Sequence, residues 1–364
     1  MKRVNEIGLL QDAVKAFKKE TGLKIAIIKN AFMEEGRPLG GLVELPNGAG
    51  QLAVGLKNWA AQANLGAIAN QIERLPIEGM LVADYINPNM AAKLRAMAIQ
   101  FIDTAGNAYI NKPPLYVWVT TNKNEKAQEA KKEAPNRAFD AAGLKVIFGL
   151  LCDQQLINAA YREIAEKTGV ALGTVGKVID GLKETGFVVD RGKGKQGRRL
   201  VNRHKLLDRW VEAYPEKLKP KCRVGDFVAD NPSWWKTINI EKFGAYWGGE
   251  VAATKYTGYL KPQVVTVYLP EQLGNKFLAA AKLKKALEWT ADGPGIVKIY
   301  RPFWPQKIID TVGEGKNQPI AKTHAGLVHP ILAYADLIAT ADSRNLETAR
   351  KIYEQHIAEH IGQD

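Results

Sequence analysis

Apolar residues recur at helical spacing in two short stretches near the middle of the chain. The first stretch has Ile164, Ala165 and Val170, and the second has Val175, Val178, Ile179 and Leu182. Gly169 lies between them and can take the positive φ that a tight turn between two helices needs. The pattern therefore predicts a helix-turn-helix.

The residues directly after the second helix have a pattern typical of β-strands. Phe187-Val188-Val189 is a short β-forming run, and Leu200-Val201 can return beside it after a segment punctuated by Gly192, Gly194 and Gly197. The segment predicts a β-hairpin whose tip is the wing of a winged helix-turn-helix.

The predicted hairpin is strongly basic, which indicates what it faces. The stretch contains no Asp or Glu, and its cations are Arg191, Lys193, Lys195, Arg198, Arg199, Arg203 and Lys205. Because the glycines keep the tip thin, it can lie along a DNA groove while the cations meet phosphates. The alternative is a solvated basic loop after an ordinary helical hairpin.

The second helix of the pair has small or polar residues off its apolar face. Gly173 and Gly176 would let this helix sit deep in a major groove, with Thr174 and Lys177 within reach of base edges or backbone. We predict double-stranded DNA as the partner. The candidate DNA-binding residues are Thr174, Lys177, Arg191, Lys193, Lys195, Arg198, Arg199 and Arg203.

Composition and charge indicate which kinds of partner and which cell compartment to expect. The 364 residues carry a formal net charge of +13, which favours a polyanionic partner. No apolar run approaches the roughly 20 residues that span a bilayer, and no secretory signal opens the chain, so we expect no membrane partner. Cys152 and Cys222 are the two cysteines, too few for a disulfide framework, so we expect a protein of the reducing cytoplasm.

Two motifs that could bind ligands have a simpler structural interpretation. Gly192–Gly197 matches GxGxxG, but a dinucleotide site needs a helix after it, whereas a strand is predicted. His356, Glu359 and His360 match H-x-x-E-H, but a zinc site needs a third protein ligand, so we expect a solvated terminal helix. We predict no cofactor and no bound metal.

Two breaks divide the chain. Residues 125–136 are charged and lack large apolar side chains, and residues 214–221 place a basic segment between Pro215 and Pro220. We predict an α/β domain over residues 1–135, a winged helix-turn-helix over residues 136–220 and an α+β domain over residues 221–364.

The first domain alternates helices and strands. After an amphipathic helix at its start, strands are predicted at 24–29, 41–45, 51–57, 80–86, 101–110 and 115–121, and helices at 65–75 and 89–98. Asn87-Pro88-Asn89 is a helix start signal, and Gly106-Asn107 is typical of a tight turn or bulge. This order predicts a sheet flanked by helices.

The same order resembles the PD-(D/E)xK nuclease-like core, in which an acid-x-Lys triplet follows a first acid. The matching triplet here is Gly55-Leu56-Lys57, so the lysine is present and the metal-binding acid is missing. The resemblance implies a nuclease-like core without its chemistry, and we expect no enzyme. The alternative is a metal-dependent DNA-cleaving or DNA-processing enzyme that uses Glu44, Asp84 or Asp103 and is targeted by the winged helix.

The last third has two recognisable pieces. Trp247-Gly248-Gly249-Glu250 opens a helical run that precedes a strand at 264–269. Residues 329–354 predict two amphipathic helices, the second capped by Asp342-Ser343. We assign Trp234 and Trp235, with Trp247, to the core rather than to an interface.

Three parts of the chain together resemble the AbiEi-like antitoxin and transcriptional regulator family of type IV toxin–antitoxin (abortive-infection) systems. They are the predicted winged helix, residues 248–270 and residues 333–354. The resemblance implies a regulator that represses its own operon and whose last domain counters a nucleotidyltransferase-type toxin. In the better-known arrangement the winged helix comes first, whereas here a long domain precedes it, so repression carries over more directly than antitoxicity. We expect an inverted-repeat operator bound by two copies, and a cognate toxin as a further partner.

Overall fold

A computed structural model describes residues 2–29, 32–34, 37–39, 41–57, 64–75, 77–120, 137–190, 197–287, 293–305 and 326–362. It divides the chain into two compact units, Met1–Pro135 and Asn136–Asp364. None of the described helices combines the length and the apolar character that crossing a membrane requires.

The first unit is a mixed sheet with helices on its faces. Its helices are α1 (Lys2–Thr21), α2 (Leu65–Glu73) and α3 (Pro88–Ala96). Its strands are β1 (Ala26–Lys29), β2 (Phe32–Glu34), β3 (Arg37–Leu39), β4 (Gly41–Glu44), β5 (Gln51–Lys57), β6 (Gly79–Ala83), β7 (Gln100–Asp103), β8 (Ala108–Lys112) and β9 (Leu115–Val119). Seven strands form one sheet in the order β1-β4-β5-β6-β7-β8-β9, and β2 pairs with β3.

Strands β5, β6 and β7 run parallel, and the flanking pairs of this sheet are antiparallel. One face is covered by α1, whose Leu10, Ala13 and Phe17 join a core with Val54 and Ile102 of the strands. Alternate strand residues point to opposite faces, so this core uses every second position of the central strands. The predicted sheet flanked by helices is confirmed for this unit.

The predicted start of α3 is confirmed, since Asn87 accepts a hydrogen bond from the Met90 N–H and Pro88 occupies the first turn. The prediction of one strand over residues 101–110 is wrong, because β7 and β8 are separate strands of a hairpin. The carboxylate of Asp103 accepts the N–H groups of Ala105 and Asn107, which closes a tight turn between them.

The second unit begins with a group of helices. They are α4 (Ala141–Cys152), α5 (Tyr161–Thr168), α6 (Leu172–Glu184), α7 (Arg203–Lys217) and α8 (Lys219–Cys222), with strands β10 (Val188–Asp190) and β11 (Arg198–Leu200) between α6 and α7. The predicted break at residues 214–221 is wrong as a local structure, because α7 continues past Pro215 and α8 follows after one residue. The reason is burial: Tyr214 is fully enclosed, so this segment is part of the core.

A five-stranded sheet follows, in the order β13-β14-β16-β12-β15. Its strands are β12 (Arg223–Val228), β13 (Tyr246–Gly248), β14 (Val264–Tyr268), β15 (Lys284–Lys285) and β16 (Ile296–Tyr300). The remaining helices are α9 (Gly249–Thr257), α10 (Gly274–Ala280), α11 (Pro330–Ile338), α12 (Ser343–Ile352) and α13 (Ala358–Ile361). Trp234, Trp235 and Trp247 lie in one buried cluster, which confirms their assignment to the core.

The predicted helical hairpin at residues 329–354 is confirmed as α11 and α12, and the Asp342 side chain accepts the Asn345 N–H as the predicted cap. The expectation of a solvated terminal helix is wrong, because Ile357 and Ile361 are fully buried. His360 bonds the Leu151 carbonyl through Nε2 at 2.7 Å, and the His356 ring lies 5.0 Å from the Tyr256 ring. The two histidines therefore contact different parts of the unit.

A buried carboxylate joins the helices of the second unit to its sheet. Asp336 of α11 accepts hydrogen bonds from Lys219 Nζ of α8 at 2.7 Å and from the Tyr214 hydroxyl of α7 at 3.1 Å. It also accepts the Tyr268 hydroxyl of β14 at 2.9 Å and the Gly249 N–H of α9 at 3.2 Å. We call these five residues the Asp336 cluster.

The protonation states of the groups in the Asp336 cluster fit its hydrogen bonds. Burial opposes the charged form of Lys219, but the charge and the hydrogen bond of Asp336, together with Tyr300, outweigh that cost, so the pKa of Lys219 is raised. Burial raises the pKa of Tyr214 and of Tyr268 well above the usual value, and the negative charge of Asp336 adds to this. Both hydroxyls thus stay protonated and available as donors to Asp336.

Replacing Asp336→Asn should destabilise the second unit by about 3–5 kcal/mol, because it leaves the largely buried Lys219 ammonium without a counter-charge. Urea unfolding at neutral pH, followed by tryptophan fluorescence, measures the loss. Asp230→Asn is the matched control, since it breaks an exposed ion pair with Lys284 and should change little. Equal stability of the two variants would show that the cluster is not an anchor.

His329 caps α11 from a buried position. Its Nδ1 accepts the Ile331 N–H at 3.2 Å, so the ring serves as a neutral acceptor. Burial, with a smaller contribution from the nearby His360, lowers the pKa of His329 to about 3. Between pH 6.5 and 3 the unfolded chain therefore binds a proton that the folded chain excludes, and stability falls as pH falls.

The variant His329→Asn keeps a capping side chain but does not titrate. Lowering the pH from 6.5 to 5 should cost the wild type about 2 kcal/mol more than this variant. Unfolding free energies measured across this range for both proteins test the point. Parallel pH profiles would show that the His329 ring is not excluded from protonation by the fold.

Candidate nucleic-acid interface

Helices α5 and α6 are joined by the turn that the sequence predicts. Gly169 has a φ of +65° and ends α5, with its N–H bonded to the Ala165 carbonyl. The Thr168 hydroxyl donates to the Ile164 carbonyl at 2.6 Å, which ties the last turn of α5 together. Because a left-handed φ costs glycine little, the chain can reverse here without strain.

Helix α6 has one buried face and one open face. Val175, Val178, Ile179 and Leu182 are buried, as the spacing predicts. Lys177 is exposed and Thr174 is half-buried. These two residues are three positions apart on a helix, so their side chains are neighbours on the same surface.

Glycine leaves this open face without bulk. A Cβ built at Gly173 would meet no atom within 4 Å, and one built at Gly176 would lie 3.6 Å from the Tyr161 ring. Leu172 begins α6 and is 53% exposed, although it is a large apolar residue. Leu172 could not be identified from the sequence as a surface residue, because its spacing from Val175 fits the buried face of the helix. Its exposure distinguishes it from the buried apolar residues of α6.

The hairpin after α6 pairs Val188 with Leu200, Val189 with Arg199 and Asp190 with Arg198. Arg199 is exposed on it. Arg191, Lys193 and Lys195, predicted at its tip, lie outside the described residues.

Arg198 is turned toward the protein. Its Nη2 donates to the Ala159 carbonyl at 2.8 Å, its backbone N–H donates to Asn158 Oδ1, and its guanidinium lies 4.8 Å from the centre of the Tyr161 ring. Arg198 therefore holds the hairpin against the start of α5. It is a positioning residue for the neighbouring Arg199.

Arg203 also contacts the protein. Its guanidinium donates to Gln154 Oε1, and it lies beside Gly362. Gln154 in turn donates to the His360 carbonyl. The described candidate residues thus fall into two groups. Lys177, Thr174 and Arg199 lie on the open surface, whereas the side chains of Arg198 and Arg203 bind other parts of the protein.

The segment 353–362 packs on α4 and α7, and α4 in turn contacts α5 and α6. His204 of α7 contacts the Gly362 carbonyl through Nε2 and the Tyr353 hydroxyl through Nδ1, each at 2.7 Å. His360 reaches the Leu151 carbonyl of α4. We call this set of contacts the C-terminal clasp. It joins the π-helical segment Tyr353–Ile357, α13 and Gly362 to α4 and α7.

The carboxylates of the first unit have structural surroundings. Asp103 is fully buried and its two oxygens accept four N–H groups, from Ile86, Ala105 and both nitrogens of Asn107. Burial raises the pKa of Asp103, and these hydrogen bonds oppose that rise. Asp84 accepts the Thr104 hydroxyl at 3.1 Å.

The position of the missing nuclease acid faces the side chain of Ile72 in α2. A Cβ at Gly55 would lie 2.6 Å from Ile72 Cδ1, so a side chain there would point into the apolar contact between β5 and α2. Among the described residues, no group of three His, Cys, Asp or Glu could hold a metal ion. The described part of the first unit thus does not confirm the nuclease-like core.

Comparison with known proteins gives one match. Residues 199–358 match the family described as transcriptional regulator, AbiEi antitoxin, type IV TA system. Searches of curated proteins and of solved structures found no match. The matched region begins in β11, so it covers α7 and the five-stranded sheet but leaves α5 and α6 outside.

The two arginines of β11 should respond differently to alanine. Arg198→Ala should destabilise the second unit by about 1–3 kcal/mol, because the Ala159 carbonyl loses its charged donor. Arg199→Ala, the matched control one residue away, should leave the stability unchanged because its side chain is exposed. Thermal or urea unfolding of the two variants checks the difference, and equal losses would refute the positioning role of Arg198.

Proposed function

Since residues 199–358 match the model of the AbiEi antitoxin family of type IV toxin–antitoxin regulators, we propose that this protein is a DNA-binding repressor of its own operon and an antitoxin. The observation that carries the proposal is the open face of α6, where Thr174 and Lys177 flank glycines without bulk. This face lies in the same compact unit as the family region.

The proposed interface is a winged helix-turn-helix. Helix α6 would enter the major groove, with Thr174 and Lys177 at base edges or backbone, and Leu172 would meet a thymine methyl group. Arg199 and the tip residues Arg191, Lys193 and Lys195 would neutralise phosphates. Counterion release from those phosphates would make the affinity fall steeply with salt.

The antitoxin half of the proposal concerns the sheet and helices after residue 220. This part would counter a nucleotidyltransferase-type toxin in the cytoplasm, as the family relationship suggests. Two copies would occupy an inverted repeat, each reading one half-site through α6. We propose no enzymatic activity, cofactor or membrane partner for the chain.

Binding to duplex DNA from upstream of the gene, compared with random duplex over a series of salt concentrations, tests the repressor function. We expect tight, sequence-selective binding with a steep salt dependence. Within this assay, Gly173→Gln should reduce operator affinity about tenfold or more, because the added side chain occupies space that the groove needs. The free protein should not lose stability, since glutamine replaces a helical glycine that faces open space.

Gly8→Gln is the matched control. Gly8 is also a helical glycine with no atom near its Cβ position, but it lies in α1 of the first unit. It should leave operator binding unchanged. Equal binding to operator and random DNA would refute the repressor function, and wild-type affinity of Gly173→Gln would refute the placement of α6 in the groove.

A further inference from the structure

The outer edge of β9 has the features of a surface that pairs with a second copy. In the described part of the chain, β9 is the last strand of the seven-stranded sheet, and its other edge pairs with β8. Alternate residues of a strand direct their N–H and C=O groups to opposite sides, so the backbone groups on this edge have no strand partner among the described residues.

The strand lacks the usual protection of an edge. Its sequence, Leu115 to Val119, contains no charge, proline or glycine. The opposite edge strand, β1, has a register irregularity between Ile27 and Lys29 and ends in a lysine. Bulges and lysines are devices that discourage edge pairing, and β9 has neither.

We propose that β9 pairs antiparallel with β9 of a second copy, in a register centred on Val117. In this register Val117 faces its own copy, Leu115 faces Val119, and Tyr116 faces Trp118. A strand at a two-fold axis meets itself, so a charge near its centre would face the same charge. β9 meets this requirement because it is uncharged.

The two faces of the paired strands would match in chemistry. Leu115 and Val117 belong to the core beneath α1, and Val119 packs against that core, so this apolar layer would continue across the axis. On the other face, Tyr116 is 57% exposed, and the half-buried Trp118 has the Arg95 guanidinium 4.7 Å from its ring centre. Pairing would place each Tyr116 beside a Trp118, and aromatic cross-strand pairs are favourable.

This inference is independent of DNA and would also supply the two copies that the proposed operator needs. Because the edge is short, we expect a dissociation constant in the micromolar range. Sedimentation equilibrium of the full chain without DNA, at roughly 1 to 100 µM, should show a monomer–dimer equilibrium. A wild-type protein that stays monomeric throughout would overturn the proposal.

Tyr116→Glu should raise the dissociation constant about tenfold or more, because it places a carboxylate against the Trp118 ring of the second copy. Ile28→Glu is the matched control, since Ile28 is 43% exposed on the opposite edge strand. It should leave the dimer intact. Loss of the dimer in Ile28→Glu, or its survival in Tyr116→Glu, would overturn the assignment to β9.

Cross-linking tests the register without a charge substitution. In the proposed pairing the two Tyr116 positions are diagonal neighbours, roughly 7–8 Å apart. Tyr116→Cys should therefore give a covalent dimer with a short bismaleimide, whereas Ile28→Cys and the wild type, whose Cys152 and Cys222 are buried, should not. Absence of the Tyr116→Cys product would overturn the register. DNA binding by a monomeric Tyr116→Glu variant would leave the proposed function standing by itself.

Discussion

The Asp336 carboxylate is the contact on which the second unit depends. It receives donors from α7, α8, α9 and β14, so helices that precede the sheet and helices that follow it share one buried charge. A buried ion pair is favourable only when further hydrogen bonds satisfy it, and two tyrosine hydroxyls do so here. The arrangement holds α7, which packs against α4, and α4 contacts both helices of the α5–α6 pair. The α5–α6 helix pair and the region matched by the family model are therefore parts of one compact unit.

Two further features support this view. Phe148 of α4 stacks on Trp210 of α7 and meets Phe303, Trp304 and His329 from the later part of the chain. The C-terminal clasp adds hydrogen bonds between α4, α7 and the last described residues. Because these parts are in direct contact, a structural change around the five-stranded sheet can be transmitted to α5 and α6. Lys177 and Arg199 remain exposed on the surface.

Much of the local structure could be predicted from the sequence. The helical spacing of Val175, Val178 and Ile179 gave α6, and the turn at Gly169 followed from its backbone freedom. The contacts between distant residues could not be predicted, because Asp336 and Tyr214 are 122 positions apart. One signal was present: Asp336 is an acid within the apolar run of α11, and a buried acid needs partners. The opposite roles of Arg198 and Arg199 had no such signal, since adjacent arginines in a strand look alike until their neighbours are known.

The C-terminal clasp has a consequence for how the protein is made. His360 reaches back 209 positions to Leu151, so α4 and α7 receive these partners only after nearly all of the described chain has been synthesised. Translation at roughly 5–20 residues per second separates the two events by about ten seconds or more. During that interval a nascent chain presents the helix pair without its clasp. The helices that support the α5–α6 pair therefore gain these contacts only once nearly all of the described chain has been synthesised.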